Sequence, residues 1–236
     1  EALYCNVTVG APRDSKVAVG DFYYSDGTTS SELDASKTVV GIVFSVKNPS
    51  LQDDALSAEY NRGLAVSLTD IENTPWQQRK ADSEFLNVSA WLVENKGYVD
   101  LVSTTYECGY SNTLALKQYN QANPNDKVLV VEDIPLGPEL TSGWYIPSYA
   151  EFMLMYNNRV RVMESMTVAG GKPFPQERNY NYGDGGTLDG PSYWTSTESS
   201  TSSTQAAAVN FHDEGGVKNN VLKSKNFYRV RYIFAF

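Results

Sequence analysis

The stretch WYIPSYAE at positions 144–151 decides how the C-terminal half of this chain folds, because it contains the clearest helix start in the sequence. Ser148 and Glu151 have the S-x-x-E spacing of a capping box, in which each side chain accepts a hydrogen bond from the backbone N–H of the other residue. The residues that follow place Phe152, Met153, Met155 and Tyr156 on one helical face. The pattern predicts a helix that begins after Ser148 and docks on a sheet.

Further stretches continue this unit toward the C terminus. Positions 193–198 read YWTSTE, and positions 228–231 read YRVR. Alternating apolar residues predict a strand at 206–211 and a closing strand at 227–234, with a turn at 212–216. The C-terminal half therefore has the alternating character of an antiparallel sheet.

The N-terminal part is rich in predicted strands. Runs of alternating β-branched and aromatic residues predict strands at 17–24, 38–46 and 63–68. A short helix is expected at 111–119, and the apolar run at 128–131 is short enough to be a strand. We divide the chain into a strand-rich region at 1–140, open to integration with the rest of the fold, and a domain at 141–236.

The composition limits the class of protein. The chain has 236 residues, of which 41% are hydrophobic and 12% aromatic, enough to bury a core. Its formal net charge of -9 repels nucleic acid, whose phosphates need clustered Lys and Arg, so we expect no nucleic-acid partner. No apolar run approaches the length of about 20 residues that a bilayer span needs, so no membrane span is expected.

The chain begins at Glu1 rather than Met, so we expect that a preceding piece was either cleaved or left out of this sequence. We therefore interpret it as a mature, exported protein at the cell surface or associated with the outer membrane. This interpretation leaves room for a lipid anchor upstream of Glu1.

The two cysteines, Cys5 and Cys108, leave two interpretations open. A disulfide between them would close a loop of about 100 residues, which the chain-entropy model values at roughly 4–5 kcal/mol. Two separate buried thiols are the simpler alternative. The only histidine of the sequence is His212, which is near neither cysteine. Cys–His catalysis and an ordinary zinc site are therefore not expected.

The glycine-rich loop at 170–191 raises the question of calcium. Asp184 and Asp189 each precede a glycine, but their spacing does not match an EF-hand, and ordinary turn chemistry explains them. Asp213 and Glu214 are adjacent carboxylates, yet neighbours on a strand point to opposite faces and do not share a site. We predict no catalytic residue, no metal site and no cofactor.

Polar residues, including Lys223, dominate the segment at 217–226, VKNNVLKSKN, and we expect them to be exposed. One interpretation is a solvated edge strand whose charges prevent aggregation. The other is an adaptable contact surface shared with Tyr228, since Tyr supplies amphipathic area and Asn supplies donors and acceptors. The cluster as a whole favours the contact surface.

Taken together, these stretches resemble a known family. WYIPS with Glu151, YWTSTE at 193–198, VNF at 209–211 and RVR at 229–231 are similar to the W-x-[LI]-P-[ST]-x-x-E, W-[ST]-S-[ST]-E and V-R-x-[VI] patterns of the Lcl C-terminal and Fibrobacter major paralogous domains. Residues 20–27 and 41–44 resemble the leader region of gut Bacteroidetes surface proteins that carry this domain.

This resemblance implies an α+β protein with a C-type lectin-like fold. Its parts would be a central antiparallel sheet, two helices and long irregular loops, preceded by a strand-rich N-terminal region. The resemblance also implies that Trp194 is a core residue. Sugar-binding C-type lectins use E-P-N or Q-P-D beside W-N-D to bind calcium, and this chain has none of these motifs. Calcium-dependent sugar binding is therefore not implied.

Variable proteins of diversity-generating retroelements, which are related to this family, display binding residues on the C-terminal strands and loop. By that analogy the expected exposed contact residues are Asn210, His212, Asp213, Lys218, Asn219, Asn220, Lys225, Asn226 and Tyr228.

Three functions follow as hypotheses. The leading one is a non-catalytic cell-surface binding or adhesion module that recognises an extracellular protein or glycan through the C-terminal loops and strands. The first alternative is a structural subunit or tip component of a surface appendage. The second is an enzyme related to formylglycine-generating enzymes, which need a reactive cysteine pair late in the chain, whereas Cys5 and Cys108 both lie early.

Overall fold

The computed structural model describes residues 16–72, 74–78, 85–98, 101–176, 192–212, 217–226 and 228–236, and for 217–220 the backbone alone. Within these residues the chain has four α-helices and two antiparallel sheets. The predicted α+β class is therefore confirmed.

The first sheet has five strands and draws on both halves of the chain. Its strands are β1 (Phe22–Tyr24), β2 (Thr29–Ser30), β3 (Val39–Ser45), β4 (Leu64–Val66) and β8 (Ile233–Ala235). They lie in the order β2-β1-β3-β4-β8, and every neighbouring pair is antiparallel. Gly27, at a φ of 80°, makes the tight turn between β1 and β2 that a residue with a Cβ would strain. Leu64 pairs with Ala235, so one sheet joins residues from both sides of the predicted boundary at 140.

The second sheet is made of three C-terminal strands. These are β5 (Tyr193–Glu198), β6 (Gln205–Val209) and β7 (Val217–Leu222), in the order β5-β6-β7. All six residues of β5 are buried. The outer edge of β5 is covered, since Tyr193 bridges Arg229 and the Ser196 N–H donates to the Pro147 carbonyl at 2.9 Å. Among the described residues β7 pairs with β6 alone, so β7 is the open edge.

The helices pack against these sheets. They are α1 (Val88–Lys96), α2 (Gly109–Ala122), α3 (Tyr149–Asn157) and α4 (Arg159–Val168). The predicted capping box at the start of α3 is confirmed, since the Glu151 N–H donates to Ser148 Oγ at 3.3 Å and the Ser148 N–H donates to Glu151 Oε2 at 2.7 Å. Of the predicted apolar face, Phe152 and Met155 are fully buried, whereas Met153 and Tyr156 are half-buried at its margin. α3 contacts β3 of the first sheet and β5 and β6 of the second.

Three details differ from the sequence expectation. The described residues contain two sheets and four helices, where the resemblance implies one central sheet and two helices. The closing strand is shorter, since only Ile233–Ala235 pairs as a strand. Leu129–Val131 is a 3₁₀ helix rather than a strand. Strand-like pairing is limited to a bridge of Val128 with Gln77, because the chain turns directly afterwards and the Glu132 N–H donates to the Leu129 carbonyl at 3.2 Å.

Two hydrophobic clusters form most of the core. The first lies under β1, β3 and β4 and includes Phe44, Phe152 and Phe211. The second contains Trp76 and Trp194 together with residues of α1, α2 and the second sheet. The burial of Trp194 confirms that it is a core residue. The C-type lectin-like fold itself stays a prediction.

Candidate interaction surface

Three of the nine predicted contact residues are buried. Asn210, His212 and Tyr228 expose 2%, 5% and 6% of their surface. The Tyr228 ring packs on Trp194 with 4.7 Å between centroids, and the His212 carbonyl accepts a hydrogen bond from the Tyr156 hydroxyl at 3.1 Å. The exposure expected of these three residues is therefore wrong, because the segments that carry them pack into the core.

The other predicted contact residues cluster around the open edge. Lys225 is half-buried and Asn226 is exposed, just beyond the end of β7. Lys218, Asn219 and Asn220 lie on β7, where the backbone alone is described. Asp213 lies outside the described residues. The structure thus brings the 218–220 backbone, Lys225 and Asn226 to one edge of the second sheet, and their role in binding stays a prediction.

A buried ion pair holds this sheet to helix α1. Glu198, the last residue of β5, pairs with Lys223, and both side chains are completely buried. The Glu198 carboxylate also accepts the backbone N–H groups of Val88 at 3.0 Å and Ser89 at 2.6 Å, in the first turn of α1. Burial raises the pKa of Glu198 and lowers the pKa of Lys223, since each charge loses its hydration. The pair therefore fixes three segments that are distant in sequence.

A second buried carboxylate organises the closing RVR stretch. The side chain of Asp70 is fully buried and pairs with Arg231, and its Oδ2 accepts hydrogen bonds from Arg229 Nη1 and the Tyr193 hydroxyl, both at 3.2 Å. Arg231 is also buried and donates to the Ser67 carbonyl at 3.0 Å. The arginines of this stretch therefore hold the C-terminal segment against β4 and β5, and Arg231 is not available to a partner.

Glu151 is a third buried carboxyl group, and its pKa is shifted. Burial raises its pKa to about 8. It accepts hydrogen bonds from the Gly109 N–H at 3.1 Å, the Ser148 N–H and the Tyr145 hydroxyl at 3.1 Å. A Cβ at Gly109 would lie 2.2 Å from the carboxylate, so the close approach of α2 requires glycine there. Glu151 thus links the first turns of α2 and α3.

These buried carboxylates have the setting of structural networks. A perturbed carboxyl group indicates catalysis when it lies in a cleft, but Glu151 and Glu198 are enclosed and bonded to backbone donors, and neither lines the clefts found below. Within the described ranges no group of three or more His, Cys, Asp or Glu side chains is placed to hold a metal ion. No helix in those ranges is long and apolar enough to cross a membrane.

An apolar cleft of about 280 Å³ lies where the C-terminal segment meets the 3₁₀ helix. It is lined by Ile71, Thr74, Pro75, Leu129, Val130, Glu132, Asp133, Val230 and Tyr232. Two carboxylates therefore stand beside an apolar floor. A wider hollow of about 370 Å³, lined by residues that include Asn87, Glu94 and Ser199, lies beside the start of α1.

An exposed apolar loop follows the cleft in sequence. Leu136 is 98% exposed and Leu140 is 73% exposed, and Leu140 has a φ of 61°, a left-handed conformation that is uncommon for leucine. Gly137 lies so close to Gly143 that a Cβ would come within 2.3 Å of the Gly143 Cα. The Thr141 hydroxyl donates to the Pro138 carbonyl at 2.7 Å and secures the loop. This loop, held by an internal hydrogen bond, thus exposes two leucine side chains to solvent.

The fold resembles that of a fimbrial protein. The crystal structure of a fimbrial protein from Bacteroides ovatus superimposes with a TM-score of 0.64 over 93% of this chain, at 20% sequence identity. At this identity the likeness concerns the fold. The chain covers 49% of that protein and so spans about half of its length. No protein-family model and no curated protein matches the sequence, and membership of the Lcl and Fibrobacter families stays a prediction.

The residues of the cleft and of the exposed loop do not figure in the sequence-based site. Asp133 follows an apolar run, and Tyr232 lies within the predicted closing strand, so both have ordinary structural explanations in sequence. Leu136 stands between two prolines in the segment IPLGP, and this composition indicates a loop without indicating its exposure. Only the folded chain shows that Asp133 and Tyr232 line one cleft.

Proposed function

We propose that this chain is a component of a cell-surface appendage of the fimbrial kind in a bacterium of the Bacteroidetes type. The observation that carries the proposal is the fold similarity to the Bacteroides ovatus fimbrial protein over 93% of the chain. Because the chain spans about half of that protein, the proposal concerns a component and not a complete assembly.

Two surface features support this function. An appendage component must contact other subunits, and exposed apolar side chains and open strand edges are the usual means. Leu136 and Leu140 are exposed apolar side chains on a loop held by the hydrogen bond of Thr141. The strand β7 is an open strand edge, since within the described residues it pairs on one side only.

The proposal is tested by locating the protein on its native cells. We expect an epitope-tagged chain to co-purify with filaments sheared from the surface, and immunogold labelling to follow them. Label along the filament would indicate a structural subunit, and label at its end a tip component. Diffuse surface label with filament-free fractions, or label confined to the cell interior, would refute the proposal.

A second candidate function is adhesion to an extracellular protein or glycan through the C-terminal loops and strands. Lys225, which is half-buried, and Asn226, which is exposed, favour it, because both lie just beyond the end of β7 at the open edge of the second sheet. The two side chains supply a positive charge and an amide that can both donate and accept hydrogen bonds.

A glycan and host-protein array tests this second function. Lys225→Ala/Asn226→Ala changes two side chains beyond the end of β7 and outside the core, so we expect the variant to keep its fold. Binding by the native chain that is lost in this variant would support recognition through this end of the second sheet. Binding that the variant retains would place recognition elsewhere.

Both candidates are non-catalytic. An enzyme related to formylglycine-generating enzymes would use Cys108 as a reactive thiol, yet Cys108 is 6% exposed at the start of α2. Reactive cysteines are typically accessible and lie in electropositive surroundings. Cys5 lies outside the described residues. An activity that disappears in Cys108→Ser while the fold is retained would contradict the non-catalytic proposal.

A further inference from the structure

The cleft beside the 3₁₀ helix combines an apolar floor with an uncompensated negative charge. Its floor includes Leu129, Val130 and Val230. Glu132 is already occupied, since it pairs with Lys127 and accepts the Asn120 side-chain N–H at 2.9 Å. Asp133, in contrast, is exposed and has no ion pair or hydrogen bond from any described residue. The cleft therefore carries one carboxylate without a cation.

Tyr232 adds an independent polar group to the same cleft. Tyr232 exposes only 7% of its surface and lines the cleft. Its ring contacts that of Trp144. Its hydroxyl makes no hydrogen bond to any described residue, and it is not one of the enclosed polar atoms without a partner, so it is accessible from the cleft. Burial raises the pKa of Tyr232 to about 12, with a smaller contribution from the nearby charge of Asp133, so the hydroxyl stays protonated. An accessible phenol hydroxyl and an unpaired carboxylate thus lie together over apolar residues.

We propose that this cleft accepts a lysine or arginine side chain from an extended segment of a partner protein. The aliphatic stem of such a side chain would pack on Leu129, Val130 and Val230, as long basic side chains do along apolar surfaces. Its charged head would meet the Asp133 carboxylate and donate to the Tyr232 hydroxyl oxygen. The occupant is chosen by charge complementarity, and it does not depend on the chain being an appendage component.

The size and the overall charge agree with this occupant. A volume of about 280 Å³ lies just below the range of about 300–1,000 Å³ that small-molecule sites occupy, which suits one side chain with its neighbours. The net charge of -9 favours encounter with a basic segment over a second copy of this chain, which would bring the same negative charge.

The test is an amide-resolved NMR titration of the full chain with two matched peptides. The probes are acetyl-Leu-Arg-Leu-amide and its neutral counterpart acetyl-Leu-Gln-Leu-amide. We expect the arginine peptide to shift the amides of Val130, Asp133 and Tyr232 at millimolar concentration, and the glutamine peptide to bind about three- to fivefold more weakly, the range of one partly exposed ion pair. Added salt should reduce the difference.

Two variants separate binding from folding. Asp133→Asn removes the exposed charge, and Tyr232→Phe removes a hydroxyl that has no partner in the described fold, so we expect both proteins to unfold as the native chain does. Each variant should bind the arginine peptide about threefold or more weakly than the native chain does. Asp133→Asn should bind the arginine and glutamine peptides with equal affinity. Asp54→Asn, an exposed carboxylate outside the cleft, is the control and should change nothing.

Three results would overturn the proposal. The first is the absence of shifts at the cleft amides, or shifts that are equal for both peptides. The second is unchanged affinity in Asp133→Asn. The third is concentration-dependent shifts of the same amides without peptide, which would assign the cleft to self-association.

Discussion

The Glu198–Lys223 pair gives the sharpest prediction about stability. The two side chains are fully buried, and the pair joins β5, the segment after β7 and helix α1. Lys223 Nζ also donates to Gln77 Oε1 at 2.7 Å and to the Leu86 carbonyl at 3.1 Å. In Lys223→Met all of these donors disappear, and Glu198 keeps only two backbone N–H groups to offset its charge.

The expected cost follows from these contacts. Removing one partner of a buried ion pair costs about 3–5 kcal/mol, because the remaining charge is left without compensation. The retained N–H groups of Val88 and Ser89 place the loss near the lower end, at about 3 kcal/mol. Lys223→Met/Glu198→Gln removes the stranded charge as well, but the amide oxygen can accept only one of the two N–H groups, so we expect the double variant to recover part of this loss. A loss of about 3 kcal/mol is a large share of the free energy of unfolding of a folded protein, which is roughly 5–15 kcal/mol.

Urea unfolding followed by tryptophan fluorescence measures these differences, because Trp76 and Trp194 are fully buried. Lys47→Met is the matched control. This variant breaks the ion pair between Lys47 and Glu107. Because the Lys47 side chain is 58% exposed, the loss should lower the free energy of unfolding by about 0–1 kcal/mol. If Lys223→Met unfolds like Lys47→Met, or if the double variant is as unstable as the single one, the buried pair does not have the role assigned here.

Three further predictions concern other parts of the fold. Burial raises the pKa of Glu151 from 4.5 to about 8, so the folded chain holds a proton that the unfolded chain releases. Stability should therefore fall as the pH rises from about 4.5 to 8, and denaturation of Glu151→Gln at several pH values should show a smaller fall; an unchanged slope would contradict the assignment. Ser148→Ala removes half of the capping box and should cost about 1 kcal/mol by urea unfolding, whereas no loss would mean that the box does not stabilise α3. Leu136→Ser should leave stability within about 0.5 kcal/mol, because the side chain is 98% exposed, while lowering filament incorporation in the shearing assay; normal incorporation would exclude the loop as a subunit contact.

Local signals in the sequence were sufficient for the elements that depend on neighbouring residues. The capping box of α3 is set by two residues three positions apart, and the strand at 38–46 follows from a β-branched run, so both could be predicted. The core position of Trp194 agrees with the family resemblance. These features require little information about distant parts of the chain.

Elements that depend on distant partners could not be predicted in the same way. Strand β5 reads YWTSTE and is buried along its whole length, so it shows no alternation of apolar and polar residues. Its outer edge is satisfied by backbone groups such as the Pro147 and Leu101 carbonyls, far away in sequence. Lys223 lies in a polar run that indicates a solvated edge, yet its partner Glu198 makes a fully buried position tolerable.

Three residues of the family-like motifs serve the fold. Glu151 bonds the first turns of two helices, Glu198 accepts the N–H groups of α1, and Arg231 pairs with Asp70 inside the protein. All three are buried, so the fold alone accounts for their contacts, and the same scaffold is compatible with unrelated ligands. The features available to partners, Asp133 in its cleft and Leu136 on its loop, belong to none of these motifs. A chain could therefore keep the whole pattern and exchange its partner by changing these few surface residues, which is why the peptide titration and the filament assay are directed at Asp133 and Leu136.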